Sequence, residues 1–180
     1  PKPVRFEVVL GAEYTLTEGG TPWFESSVND IQDVKKLITK IEKLDVRREA
    51  FPPDWQQKKE EYEKASGKKL KGGGHISRGP ATIATSVLGT TNTCLFMLDE
   101  PDVMDVFFRL LGAKLVEYNN VLMVDTGHDT REGYDFFDDN CFLFPPSQYE
   151  RFCAPVLDMI YKEFAPGPYH RRYHHSDSDM

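Results

Sequence analysis

Late in the chain an apolar stretch, Tyr134-Asp-Phe-Phe137, runs straight into two adjacent carboxylates, Asp138 and Asp139. A short loop follows, and Pro146 then opens a helix. After that helix a second short stretch, starting at Tyr173, delivers His175, Ser176 and Asp177. Strand, polar residues, loop, helix, then strand and polar residues again is the rhythm of an α/β barrel. In that fold the chemistry sits where strands end and βα loops begin. This ordering limits the fold more than any other stretch, and it puts the candidate site residues at strand ends.

Val4–Leu10 reads as a strand broken by Gly11, and residues 12–27 read as polar and irregular around the turn signal Gly19-Gly20. Asn29 is the expected cap of a helix, with Gln32 three residues on. Ile31, Val34, Leu37, Ile38, Ile41 and Leu44 then recur at helical spacing. Pro52-Pro53-Asp54 opens a polar, solvated helix that Gly67 ends. Gly72-Gly73-Gly74-His75 has neither Walker nor Rossmann spacing and reads as a flexible connection. His75–Thr85 reads as a short strand passing into a loop. Pro101 starts a helix with Val103, Val106, Phe107, Leu110, Leu111 and Leu115 on one face. Asn119-Asn120 is expected to end it, Val121–Val124 to be a separate buried run, and residues 125–132, with His128, to be a polar loop on the stability side. The late helix 147–164 points Phe152, Val156, Leu157, Ile160 and Phe164 inward, with a kink expected at Pro155.

Four strands are therefore expected, near Val4–Leu10, His75–Arg78, Tyr134–Phe137 and Tyr173–Ser176. They should lie parallel in one sheet with helices on one side. A complete (β/α)8 barrel takes roughly 250 residues. The 180 residues here hold three or four βα units, so the expectation is a single partial barrel over 1–180, about half of one.

The net charge of −7 and a pI near 5.3 argue against a nucleic-acid partner, because phosphate binding is chiefly a Lys/Arg effect. No apolar run approaches the length of a membrane span. The three cysteines, Cys94, Cys141 and Cys153, are few and widely spaced, which favours a reducing compartment and a cytoplasmic location.

Asp138 and Asp139 point to opposite faces if the strand persists. They read either as acid or orienting groups at a barrel mouth, or as a salt bridge or helix cap. As mouth groups they would be dispensable for stability. His175 and Asp177 lie two apart and share a strand face. They suit one metal ion or substrate group, or a hydrogen bond to each other. His174 faces the other way and reads as structural. His170, Arg171 and Arg172 read as a solvated basic turn, and Cys141 as an unactivated thiol.

At Gly79-Pro-Ala-Thr-Ile-Ala84, Phe137-Asp-Asp-Asn140, Phe144-Pro-Pro-Ser-Gln-Tyr-Glu-Arg-Phe152 and His175-Ser-Asp-Ser178 the chain resembles the uroporphyrinogen decarboxylase superfamily. Gly20-Thr-Pro-Trp-Phe24 looks like part of that family's N-terminal region. The group holds the decarboxylase of haem synthesis and the corrinoid-dependent methyltransferases. The resemblance implies a (β/α)8 barrel with its site at the C-terminal strand ends. Ser86 stands where the decarboxylase has a substrate-binding Tyr, and Asp139 where it has a Ser. The methyltransferase branch carries acidic residues after that strand, as here, and a His-x-Cys zinc pair on the next. His175 matches the histidine, but Asp177 replaces the cysteine and trades a soft thiolate for a hard carboxylate.

The resemblance thus implies methyl transfer between a small methylated compound, or a thiol, and a corrinoid carried by a partner protein. Asp138 and Asp139 would be catalytic, Ser86 and Asp177 would contact substrate, and His175 with Asp177 would hold a metal, Zn2+ in the family. Porphyrinogen decarboxylation, which needs no cofactor, and a catalytically silent partner-binding barrel are the alternatives. A small-molecule substrate, a corrinoid protein and a second copy in a homodimer are the expected partners.

Overall fold

The computed structural model describes residues 1–16, 18–20, 22–71, 74–127 and 131–177. Gly72-Gly73, His128 and Ser178 lie outside the described residues. In chain order the first elements are α1 (Phe6–Val9), β1 (Glu13–Leu16), β2 (Pro22–Glu25), α2 (Ile31–Glu42), α3 (Val46–Glu49) and α4 (Trp55–Ser66). The middle of the chain forms β3 (Ile76–Arg78), α5 (Pro80–Leu88), α6 (Thr90–Asp99), α7 (Pro101–Thr126) and β4 (Gly133–Phe137). A 3-10 turn at Cys141–Leu143 leads to α8 (Pro146–Gln148), a π turn at Tyr149–Cys153, α9 (Ala154–Phe164) and β5 (Arg171–His175).

β3, β4 and β5 form one parallel sheet in that order. Three of the four expected strands are therefore present and parallel. The fourth is not a strand. Phe6, Val9 and Leu10 also satisfy the i, i+3, i+4 spacing of a helical turn. That turn wins: Leu10 N–H donates to the Phe6 carbonyl at 3.0 Å, and all three side chains are buried. The stretch that read as irregular is instead an antiparallel hairpin, with Tyr14 opposite Phe24 and Thr15 opposite Trp23.

Several boundaries differ from the sequence reading for local reasons. Asp30, not Asn29, caps α2: its Oδ1 accepts from Gln32 N–H at 2.8 Å and Asp33 N–H at 3.0 Å. Asp33 returns a carboxylate oxygen to Asn29 N–H at 3.1 Å, a capping box displaced by one residue. After β3 there is no loop. Pro80 occupies the first turn of α5, and every residue of that helix is buried. α7 runs through Asn119-Asn120 into the segment expected to be separate. Asn119 fits inside because its side-chain amide donates to the Leu115 carbonyl and to Tyr134 Oη, each at 2.8 Å. The disturbance expected at Pro155 is the π turn just before it. Proline has no N–H for the Arg151 carbonyl, and the wider turn accommodates the missing bond.

Alternation along β4 gives the sheet two different faces. Tyr134 and Phe136 pack into the helical layer, where Tyr134 stacks on Phe164 at 5.5 Å and Phe136 meets Tyr161 edge-on at 5.5 Å. The opposite face carries Ile76, Arg78, Asp135, Phe137, Arg171, Tyr173 and His175. There Arg171 pairs with Asp135 at 2.7 Å, so Arg171 belongs to a strand and not to a turn. Among the described residues no single helix is long and apolar enough to cross a membrane.

α7, α9 and the π turn form the largest helix–helix contact of the core. Phe152 is fully buried there, its ring 5.5 Å from Phe108. Replacing Phe152 with Ala should lower unfolding free energy by about 3 kcal/mol or more, through lost transfer energy and the cavity left behind. Urea denaturation at constant m-value measures it.

Candidate functional site

The two adjacent aspartates divide as strand alternation requires, and they do different things. Asp138 continues the face of Tyr134 and Phe136, and its side chain is fully buried. Its Oδ1 accepts from Thr82 N–H at 2.8 Å, and its Oδ2 from Ala81 N–H at 3.4 Å. These are orphan donors at the start of α5, whose own cap residue is Gly79, with no side chain to serve them. The carboxylate is thus supplied from the neighbouring strand to the positive end of the helix dipole. Tyr149 donates its hydroxyl to Asp138 Oδ2 at 3.2 Å, and His174 Nε2 lies 3.7 Å from the same oxygen. Burial, and then the Asp138 charge, push the Tyr149 hydroxyl far up, so it stays a neutral donor. A Cβ on Gly79 would fall 2.2 Å from the Asp138 Cβ and Cγ, so the approach requires glycine.

Asp138 therefore does not open on the strand-end mouth, and the expectation that it is dispensable for stability is corrected. Its helix-facing position follows from the strand period carrying on past Phe137. His174 lies on the same side, in keeping with a structural role.

Asp139 emerges on the other face, half-buried, beside His175 and Asp177. One ligand atom from each of the three lies within 4.8 Å of the other two. His175 Nε2 and Asp177 Oδ1 are 2.9 Å apart, while His175 Nδ1 lies 3.3 Å from the Tyr173 hydroxyl. A metal-bound histidine carries this kind of second partner on its remaining nitrogen. The Phe137 ring lies 5.4 Å from the imidazole. The donor set of one imidazole and two carboxylates fits a divalent cation of borderline or hard character.

Next to this cluster is a cavity of ≈ 370 Å³, lined by Trp23, Phe24, Arg78, Thr85, Ser86 and Asn140. Its position follows from the register: Arg78 pairs with Phe137 and Phe137 with His175, so cavity and cluster occupy the same ends of neighbouring strands. Ser86 is on the cavity wall, its hydroxyl donating to the Thr82 carbonyl at 2.7 Å. Asn140 is held by its side-chain amide donating to Thr85 Oγ1 at 2.8 Å. Sequence reasoning missed Arg78, Trp23 and Asn140. Arg78 had a usable signal, since it is the last residue of a strand directly before a helix-opening Gly-Pro. Trp23 lay in the family-like stretch Gly20–Phe24, but the hairpin that carries it to the cavity read as irregular.

The thiols stay outside this chemistry. Cys153 is buried, and burial pushes its thiol well up. Cys94 is pushed up for the same reason. Cys141 is buried with its Sγ 3.2 Å from Ser176 Oγ.

A family model for uroporphyrinogen decarboxylase (URO-D) matches residues 6–177. The chain belongs to the uroporphyrinogen decarboxylase family. The matched span takes in all three parallel strands, the cluster and the cavity, so the site lies inside the URO-D region. A comparison with curated proteins gives no match.

Asp138→Ala should cost about 2 kcal/mol, combining a lost cap with buried N–H groups left unpaired. Asp139→Ala should stay within about 0.5 kcal/mol, the range of ordinary surface changes. Parallel urea titrations compare them, and equal losses at the two positions would contradict the division of roles.

Proposed function

We propose that this URO-D-family chain forms part of a (β/α)8 barrel and takes part in metal-assisted methyl transfer. A methyl group would pass between a small methylated compound, or a thiol, and a corrinoid carried by a partner protein. The observation that carries this reading is the convergence of Asp139, His175 and Asp177 within 4.8 Å at the C-terminal strand ends. Those three residues would hold a divalent cation. When bound, the cation would supply Lewis acidity, lowering the pKa of a coordinated thiol or polarising a leaving group.

The chain's own residues set the conditions around it. Tyr173 orients the imidazole through Nδ1, so that Nε2, now paired with Asp177 Oδ1, faces the position an ion would take. Phe137 walls one side of the histidine with apolar surface. Ser86 and Asn140 offer polar atoms to a substrate in the adjoining cavity. Asp177, with a side chain 78% exposed, keeps the cluster within reach of a cofactor presented by another protein. Asp138 takes no chemical role in this account and holds α5 in position. Replacing a thiolate by Asp177 moves the preferred ion from the soft end towards cations that accept oxygen ligands.

Metal content is the direct test. Purified protein, dialysed against zinc or cobalt and then against buffer, should retain about one ion per chain by mass spectrometry, as a single site of this kind implies. His175→Ala should lose it while melting within a few degrees of the parent. Methyl transfer from methylcobalamin to a thiol should follow the ion. Protein that turns over uroporphyrinogen with no metal bound would place the chain with the decarboxylases instead. Protein that neither retains metal nor turns over either substrate would favour a silent, partner-binding subunit.

A further inference from the structure

We propose that the cavity beside the cluster is a binding site for a small monocarboxylate with a flat or apolar body, anchored by Arg78. Four observations carry this. The first is the hydrogen bonding of the guanidinium. Its Nη1 makes two long contacts, 3.4 Å to Glu7 Oε1 and 3.5 Å to Ser86 Oγ. No hydrogen bond from its Nε or Nη2 is formed among the described residues. The Nε–Nη2 edge is the one that grips a carboxylate through two parallel bonds. An arginine whose side chain is only 35% exposed holds this edge in a partly desolvated setting, where a charge-assisted pair counts for more than in bulk water.

The second observation is the surroundings of that guanidinium. Phe24 packs under it, 5.7 Å from ring centroid to Cζ, which restricts its motion. Trp23, 67% exposed, offers an indole at the cavity wall with most of its surface uncovered. An aromatic or alkyl body lying there would recover the area that the indole now leaves in water.

The third observation is size. A cavity of ≈ 370 Å³ falls at the small end of the range for ligand sites, which suits a small molecule within these walls. The fourth is charge. Arg78 is the only cationic side chain among the described residues that line the cavity, and buried Glu7 already draws on it. With Glu7 beside it the guanidinium offers at most one positive charge, so a monoanion leaves less uncompensated negative charge than a dianion would. A phosphate dianion would face net repulsion from Glu7 in a chain that is acidic overall. Ser86, Thr85 and Asn140 add neutral polar atoms that suit a carbonyl or hydroxyl on the same small molecule.

The proposal shares its site with the methyl-transfer reading but needs no metal ion, so either can fail without the other. The test is binding to metal-free protein, followed by isothermal titration and by the tryptophan fluorescence of Trp23. Three probes are used: benzoate, phenyl phosphate and benzyl alcohol. Benzoate should bind and change the fluorescence. Phenyl phosphate and benzyl alcohol should each bind at least about tenfold more weakly. Arg78→Gln should weaken benzoate at least about tenfold and leave benzyl alcohol unchanged. Trp23→Ala, at an exposed position, should weaken benzoate and benzyl alcohol alike and abolish the fluorescence response. Because Arg78 also pairs with buried Glu7, Arg78→Lys serves as the folded control. It keeps the charge, loses the bidentate edge, and should bind benzoate with affinity between that of the parent and that of Arg78→Gln. The proposal is overturned by benzoate failing to bind, by undiminished binding to Arg78→Gln, or by phenyl phosphate matching benzoate.

Discussion

The position of the site depends on one carboxylate placed at the start of one helix. Asp138 bridges β4 to the first turn of α5, giving that helix the acceptor that Gly79 cannot give. Without it, a buried helix would begin with unpaired N–H groups inside the core, a cost of about 1–3 kcal/mol for each lost partner. α5 in turn carries Ser86 and Thr85 to the cavity wall, and Thr82 steadies Asn140 by accepting its backbone N–H at 3.1 Å. The same bridge fixes how closely β3 and β4 approach, since Gly79 and the Asp138 side chain touch. The position of Arg78, one residue before Gly79, is tied to that contact.

Adjacent placement of Asp138 and Asp139 then has a simple physical meaning. A strand sends successive side chains to opposite faces, so two neighbouring carboxylates cannot share a task. One is spent on the helical layer and the other is delivered to the open face. The same division recurs one strand over. His174 reaches Tyr149 and Asp138 behind the sheet, while His175 meets Asp139 and Asp177 in front. At the ends of β4 and β5 a polar pair thus supplies one structural and one outward-facing group.

Much of this was legible in the sequence, and the rest was not for specific reasons. Three parallel strands and the late helix follow from apolar runs bounded by turn residues, and the pairing of His175 with Asp177 follows from their spacing. The first strand failed because Phe6, Val9 and Leu10 fit a helical turn as well as an extended run, and four residues cannot separate the two periods. The break at Asn119 failed because its buried amide nitrogen can donate both to its own helix and to Tyr134 on the next strand. The role of Asp138 was among the readings but could not be chosen, since its partners, Ala81 and Thr82, are distant in sequence. Arg78 and Trp23 escaped because their significance lies in a cavity formed by a hairpin, a strand and a helix together.

The chain's most unusual chemical feature is also explained by close packing of charge. Asp139 and Asp177 bring two carboxylates to one imidazole, and their like charges repel, a cost that water screens at the exposed Asp177 and that a cation beside them would lower further. Neighbouring Arg171 does not serve, because Asp135 already holds it at 2.7 Å. Arg78 is engaged by Glu7 on its own side of Phe137. Among the described residues, Arg171 is thus held by Asp135, and Arg78 makes a long contact to Glu7 through Nη1 and turns its remaining edge to the cavity, away from the cluster. What remains at the strand ends is an unbalanced negative site with one nitrogen donor, beside a cavity whose anchor is positive. On the proposed reading, such adjacent and opposite polarities would suit a substrate that presents an anionic end to Arg78 and its reacting end to a cation, were one held by Asp139, His175 and Asp177.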